Sequence, residues 1–204
     1  AGIVKDFVFD HERYGYTPEK ATRLSRSQQL ILECAYRAVA DAGYLRDDLK
    51  LPAKLRASTA VIVATCLGNE LGNNLHLKYL YPELKHYLNQ IEAFNTLDDA
   101  SRATLLDGLR EGMANGMDYE PVHGQLLNIE ASRIAHHMGI EGINYVVDAA
   151  CASSLSAVHL ALLELASGKS NMVVTGGVDT LNDIFMHMCF SKTGVLSHSG
   201  NARP

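Results

Sequence analysis

Three runs of apolar residues along the chain predict buried β-strands. The runs are continuous rather than alternating, which is the pattern of strands that are buried on both faces of a parallel sheet. They are residues 59–65 (TAVIVAT), 143–147 (INYVV) and 171–177 (NMVVTGG). An amphipathic helical stretch separates the last two, and this order of strand, helix and strand is typical of a βαβ unit. The pattern therefore predicts an α/β fold with parallel strands.

Apolar residues at helical spacing predict helices around these strands. One helix covers residues 24–42 and ends at Gly43 in a left-handed turn, and another covers residues 127–139. The apolar rows of the first helix are Leu30, Cys34 and Ala38, and Ile31, Ala35, Ala38 and Ala42. A third helix follows Cys151, and we expect its buried face to consist of Leu155, Val158, Leu162 and Leu165.

Residues 69–122 are polar and rich in helix-forming residues. We interpret them as a mostly helical excursion that covers the sheet or a site, and we use that name for them below. One amphipathic face within it consists of Tyr81, Leu84, Leu88 and Ile91, and its exit is marked by Gly112, Gly116 and Pro121.

Charge and cysteine content exclude several classes of protein. The formal net charge of the 204 residues is −5, which favours neither a nucleic-acid partner nor an anionic membrane surface. No apolar run reaches the length of about 18 residues that a transmembrane helix needs, and the first residues lack a secretory signal pattern. Four cysteines lie far apart, which predicts reduced thiols in a cytoplasmic protein. They are Cys34, Cys66, Cys151 and Cys189.

Cys151 stands where a predicted strand passes into a predicted helix, in the stretch YVVDAACASSLSAVHLALLELASG. It is either a small core residue or a nucleophile at the positive end of a helix. The unpaired backbone N–H groups of a helix N-terminus favour a thiolate. Room for a substrate is left by the small neighbours Ala149, Ala150, Ala152, Ser153 and Ser154. Cysteine is also among the most frequently buried residues, so the pattern alone leaves both readings open.

No histidine is placed by the sequence as a base for Cys151. His159 lies eight residues along the same helix, roughly 12 Å away and rotated from it, so we expect a packing role. The adjacent His136 and His137 are read as structural or surface residues. A solvated position is expected for His11, His76, His86 and His123, whereas His187 and His198 could approach a site. No ligand spacing for a metal is present.

Several segments, in order, resemble the β-ketoacyl synthases of the thiolase superfamily. VDAACASSLSAVHLAL is similar to the family's D-x-A-C-S-S-S-L around the acyl-accepting cysteine, and LSRSQQLILECAYRAVADAGY to its D-P-Q-Q-R-L helix. The resemblance continues through TAVIVATCLG, ASRIAHHMGIEGINYVVDAAC, VVTGGVDTL and FSKTGVLSHSGNARP. The wording VVDAACASSL is most similar to ketosynthases of iterative polyketide and polyunsaturated-fatty-acid synthases.

The resemblance implies a thiolase-like fold, of which residues 1–204 would form the first βαβαβ half: a parallel or mixed sheet flanked by helices, with the excursion inserted. It implies that Cys151 takes an acyl group from the phosphopantetheine of an acyl carrier protein, with no intrinsic cofactor. A malonyl thioester would then lose CO2 and attack the Cys151 thioester. Leu67 would lie in the acyl pocket, Phe190 and Ser191 beside it, and residues 143–147 would pair across the two-fold axis of a homodimer.

The chain also departs from the family pattern. The family's two histidines lie in H-G-T-G-T and G-x-N-A-H contexts, and neither context occurs in the 204 residues. We therefore expect these residues alone not to catalyse condensation. Two other classes of function stay open: a non-catalytic partner subunit of the chain-length-factor type, in which the nucleophile position is usually not cysteine, and an unrelated cysteine acyl hydrolase.

Overall fold

The fold is built around three parallel β-strands. The computed structural model describes residues 4, 6–45, 49–69, 80–112, 123–124, 126–181 and 184–201. The strands are β1 (Thr59–Ala64), β2 (Asn144–Val147) and β3 (Met172–Gly177), in the spatial order β2-β1-β3. All six residues of β1 are buried, as expected for the central strand of a sheet covered on both faces. The predicted parallel arrangement is confirmed.

Eight numbered helices accompany these strands in the described ranges. They are α1 (Pro18–Thr22), α2 (Arg26–Asp41), α3 (Ala53–Arg56), α4 (Glu92–Asn95), α5 (Asp99–Gly112), α6 (Asn128–Met138), α7 (Ser153–Ala166) and α8 (Ile184–Lys192). Residues 80–88 are also helical, and a 3-10 turn (Ala150–Ala152) precedes α7. Within the described part of the chain, no helix combines the length and apolar character required to span a membrane.

Helices cover both faces of the sheet because successive side chains of a strand point to opposite faces. Val61 and Val63 of β1 belong to the larger apolar cluster, which α2 and α6 complete. Ile62 and Ala64 belong to a second cluster, together with Ala157 of α7. The result is a three-layered α/β unit, and its layers bring the start of α7 against the sheet.

The buried face of α7 is different from the predicted one. Leu155 and Leu162 are 77% and 60% exposed, and Val158 and Leu165 are exposed too, whereas Ala157 and Ala161 are buried. The leucine pattern was misleading because α7 is apolar on nearly all sides, so periodicity does not select a face. The small alanines are inward because they let the helix approach the strands closely.

The inward row of α2 is also partly different from the prediction. Ile31 and Ala35 are buried as expected, but Cys34 and Ala38 are exposed. Leu32 and Val39 take their place in the core. The bounds agree with the prediction: Ser25 caps the first turn, and Gly43 follows the helix with φ of +80°.

The described part of the excursion is helical, as predicted. Tyr81, Leu84 and Leu88 are half-buried, whereas Ile91 is 50% exposed and does not continue that face. The Tyr81 hydroxyl donates to the carbonyl of Leu106, so residues 80–88 contact α5. Gly116 and Pro121 lie outside the described residues.

The residues that flank the excursion are held together by side-chain amides. The Asn69 amide donates to the Gly124 carbonyl at 2.7 Å, and the Gln28 amide donates to the same carbonyl at 3.2 Å. Arg133 of α6 in turn donates to the Gln28 side chain. Both ends of the excursion are therefore fixed to α2 and α6.

Candidate active site

Four side chains with acidic or thiol groups gather beyond the carboxyl ends of the three strands. Ala64 is in register with Val147 and with Gly177, so all three strands end at the same level. The first residues beyond them carry Cys66 after β1, Asp148 and Cys151 after β2, and Asp179 after β3. Crevices at this edge of parallel sheets are the usual ligand sites of α/β proteins.

Cys151 lies in the 3-10 turn directly before α7, and its side chain is exposed. The prediction had placed it just inside the helix, one turn further on. Exposure excludes the reading of Cys151 as a core residue. A thiol presented at the open edge of a sheet, next to a helix N-terminus, has the position that a nucleophile requires.

The backbone before Cys151 is strained and is held by two side chains. Ala150 has φ of +50°, a left-handed conformation that costs a residue with a Cβ atom roughly 1–2 kcal/mol. The Asp148 carboxylate accepts a hydrogen bond from the Ala150 N–H at 2.9 Å. The buried Ser153 hydroxyl accepts one from the Ala149 N–H at 2.8 Å and donates to the Ala150 carbonyl at 2.6 Å.

A close contact between β3 and α7 fixes the height of this turn above the sheet. A Cβ atom at Gly177 would lie 2.2 Å from the Ser154 Oγ and 3.3 Å from its Cβ. A third neighbour, the Cβ of Ala64, would be 3.4 Å away. Because glycine occupies position 177, the first turn of α7 can rest directly on the ends of β1 and β3.

Cys66 is the second thiol at this edge, and its chemistry differs from that of an exposed thiol. Burial raises the pKa of Cys66, and the negative charges of Asp179 and Asp148 raise it further, as does the proximity of Cys151. These influences stabilise the neutral thiol. The electrostatic environment therefore disfavours Cys66 as a nucleophile.

Leu67 lies in the same loop as Cys66. Leu67 and Gly68 both have positive φ, of 63° and 90°, so the chain turns sharply here before Asn69 anchors it. The turn leaves the Leu67 side chain 52% exposed at the carboxyl edge. The predicted substrate-contacting residue Leu67 is thus adjacent to this group of side chains.

The structure does not join Phe190 and Ser191 to Cys151. Both belong to the last turn of α8, where the Phe190 carbonyl accepts from Thr193 and Val195 and the Ser191 carbonyl from Gly194. The Phe190 side chain is 39% exposed. Their predicted role beside an acyl cavity stays a prediction.

The histidines on described elements are not grouped at this edge by the contacts described. His159 is exposed on α7, and His187 and His198 are exposed as well. His137 is half-buried and accepts a hydrogen bond from the Tyr16 hydroxyl, which itself accepts one from Arg133. His137 is therefore structural, as predicted.

Cys66, Asp148, Asp179 and Ser153 were not identified as site residues from the sequence. A signal was available for the first three, because each lies one or two residues beyond a predicted strand. Their convergence depends on the strand order, however, and the pattern does not contain that order. Ser153 was noted only for its small size.

Comparison with known proteins gives one family. The family model "Beta-ketoacyl synthase, N-terminal domain" matches residues 1–204. A polyunsaturated fatty acid synthase from Thraustochytrium sp. is 49% identical over 80 residues, which cover 39% of this chain and 3% of that protein. The PKS-NRPS hybrid synthetase ATPKS of Aspergillus niger is 28% identical over 204 residues, which cover 100% of this chain and 9% of that protein.

The fold is also found among solved structures. The ketosynthase from module 6 of the bacillaene synthase from Bacillus subtilis 168 superposes with a TM-score of 0.60 at 20% sequence identity. The match covers 95% of this chain and 25% of that chain. The chain thus has the α/β fold of a ketosynthase, and it spans less than a tenth of the length of the two synthases above.

Proposed function

Because the chain belongs to the β-ketoacyl synthase family, we propose that Cys151 accepts an acyl group from a carrier-protein thioester. The observation that carries this proposal is the exposed Cys151 thiol, which a strained, hydrogen-bonded turn presents at the carboxyl edge of the sheet. A nucleophile has to be accessible and oriented at once, and this turn supplies both conditions.

The proposed reaction has two parts. In the first, the Cys151 sulfur attacks the thioester carbonyl, a new C–S bond forms, and the carrier thiolate leaves and takes up a proton. In the second, a malonyl thioester loses CO2, and the resulting carbanion attacks the carbonyl of the Cys151 thioester. A C–C bond forms, the C–S bond breaks, and the Cys151 thiolate is regenerated on a chain two carbons longer.

Oxyanions develop in both attacks, and the backbone N–H of Cys151 is our proposed donor to them. A donor that is already oriented toward the developing charge lowers the barrier without any reorganisation. We assign Leu67 to the acyl pocket because its exposed side chain lies in the loop next to Cys66. Phe190 and Ser191 are kept as proposed pocket residues on the family resemblance alone.

The proposed partners follow from this chemistry. The substrates would be acyl and malonyl groups on the phosphopantetheine arm of an acyl carrier protein, and the product a polyketide or fatty acyl chain. We propose a homodimer paired through β2, which is an end strand of the described sheet. The need for a free thiol favours the cytoplasm, where thiols stay reduced.

A condensation assay on the full-length protein tests the proposal. We expect Cys151→Ala to abolish product formation from acyl- and malonyl-carrier protein, and to leave folding intact because the side chain is exposed. Cys34→Ala is the matched control, since Cys34 is also an exposed thiol. Condensation at an undiminished rate in Cys151→Ala would refute the proposal.

A further inference from the structure

The Ser153 hydroxyl contacts the peptide group that contains the Cys151 N–H. Its Oγ donates to the Ala150 carbonyl at 2.6 Å, and the backbone N–H of Ser153 donates to the same carbonyl. This carbonyl and the N–H of Cys151 belong to one peptide bond. A trans peptide is planar, with its C=O and N–H pointing in opposite directions. Two donors on the carbonyl therefore fix the direction in which the Cys151 N–H points.

The same hydroxyl also holds the chain on the other side of the left-handed residue. Its Oγ accepts from the Ala149 N–H at 2.8 Å, so one buried atom is bonded both before and after Ala150. Ala150 has a φ of +50°, and its own N–H is held by Asp148. A left-handed alanine persists only where surrounding contacts determine it.

We propose that Ser153 is a positioning residue that directs the Cys151 N–H toward the oxyanion of the transferring acyl group. The inference rests on the proposed acylation of Cys151. Ser153 touches no substrate in this account, because its hydroxyl is buried and both of its hydrogen-bonding directions are engaged with the backbone. Its effect passes through the orientation of one peptide group.

This role differs in a measurable way from a purely structural one. Acylation by a thioester proceeds through an oxyanion and depends on the N–H. Alkylation by iodoacetamide is a direct displacement at carbon, in which no oxyanion forms, so it reports only whether the Cys151 thiol is accessible and intact. Loss of the positioning contact should slow the first reaction and spare the second.

The test compares Ser153→Ala with Ser167→Ala in the full-length protein. Ser167 is a matched control because its hydroxyl also donates to the carbonyl three residues earlier, Glu164, at 2.8 Å, but at the far end of α7. Single-turnover acylation of Cys151 by an acyl thioester, its iodoacetamide rate and the melting temperature are measured for each variant.

We expect Ser153→Ala to slow the maximal acylation rate about 10- to 100-fold, less than the full loss of an oxyanion donor. Substrate half-saturation, the iodoacetamide rate and the melting temperature should stay close to wild type, and Ser167→Ala should change none of the four. Unchanged acylation in Ser153→Ala would overturn the proposal. So would a parallel loss of acylation and alkylation, or a variant that does not fold, because each shows a structural role. Failure of the wild-type protein to acylate Cys151 would instead refute the proposed function.

Discussion

Gly177 lies so close to Ser154 that a Cβ atom at position 177 would come within 2.2 Å of the Ser154 Oγ. Rotation of Ser154 could remove that contact, but not those to the Cβ atoms of Ser154 and Ala64, at 3.3 and 3.4 Å. The end of β3 therefore sets the position of the first turn of α7, and with it the position of Cys151.

We expect Gly177→Val to displace this turn and to slow acylation of Cys151 by roughly tenfold or more, since small misplacements of a nucleophile have large effects on rate. Single-turnover acylation of the full-length protein measures it. Gly176→Val is the matched control, because a Cβ atom at Gly176 would have no neighbour within 4 Å. Equal acylation rates for the two variants would show that the contact at Gly177 does not position the nucleophile.

The two thiols at the carboxyl edge should differ in reactivity. Cys151 is exposed, whereas burial and the charges of Asp179 and Asp148 raise the pKa of Cys66 and keep it neutral. We expect iodoacetamide to modify Cys151 first among the four thiols of the native protein. The Cys66 rate should keep rising at pH values where an ordinary thiol has levelled off.

Asp179→Asn tests the cause of this difference. The substitution removes the charge but keeps an oxygen for the hydrogen bond from the Leu181 N–H. It should lower the pKa of Cys66 and speed its alkylation at neutral pH. Faster modification of Cys66 or Cys34 than of Cys151 in the unmodified protein would contradict the assignment of the nucleophile.

His137 should remain neutral far below the usual pH range of histidine. Burial, and then the positive charges of His136 and Arg133, lower the pKa of His137 to about 4. Hydrogen exchange at the imidazole C–H, followed by mass spectrometry across pH, measures this titration. Tyr16→Phe should raise the midpoint, because the Tyr16 hydroxyl donates to the neutral ring at Nε2. A midpoint near 6.5 in the native protein would contradict the described contacts.

The strands and the position of Cys151 could be predicted from the sequence because each has a local signature. A continuous apolar run such as residues 59–65 is buried wherever it lies in a parallel sheet. Gly43 and Gly139 follow α2 and α6 with positive φ, as helix-ending glycines do. The chemistry of Cys151 likewise follows from its place between a strand and a helix.

Features that depend on three-dimensional arrangement could not be predicted in this way. The inward face of α7 is decided by how closely the helix approaches β1, and Ala157 permits this approach where the leucines do not. The two hydrogen bonds of Ser153 depend on the left-handed Ala150, and no periodicity indicates this conformation. The proximity of Cys66 to Asp179 requires the order β2-β1-β3.

The proposed dimer through β2 can be tested at Ile143, which precedes the strand and is 49% exposed. Val146 is less suitable, because it packs against the core and a lysine there would also disturb folding. We expect Ile143→Lys to shift the full-length protein from dimer to monomer in sedimentation at micromolar concentration. Ile91→Lys, at an equally exposed isoleucine of the excursion, should leave the dimer unchanged. A wild-type monomer would contradict the proposal.

Mass spectrometry of the full-length protein after incubation with an acyl thioester tests the central claim most directly. The account predicts that the mass of the acyl group appears on the peptide that contains Cys151, that hydroxylamine removes it, and that Cys151→Ala does not acquire it. An acyl group found on Cys34, Cys66 or Cys189 instead, or no acyl group on a protein whose Cys151 still reacts with iodoacetamide, would contradict the claim.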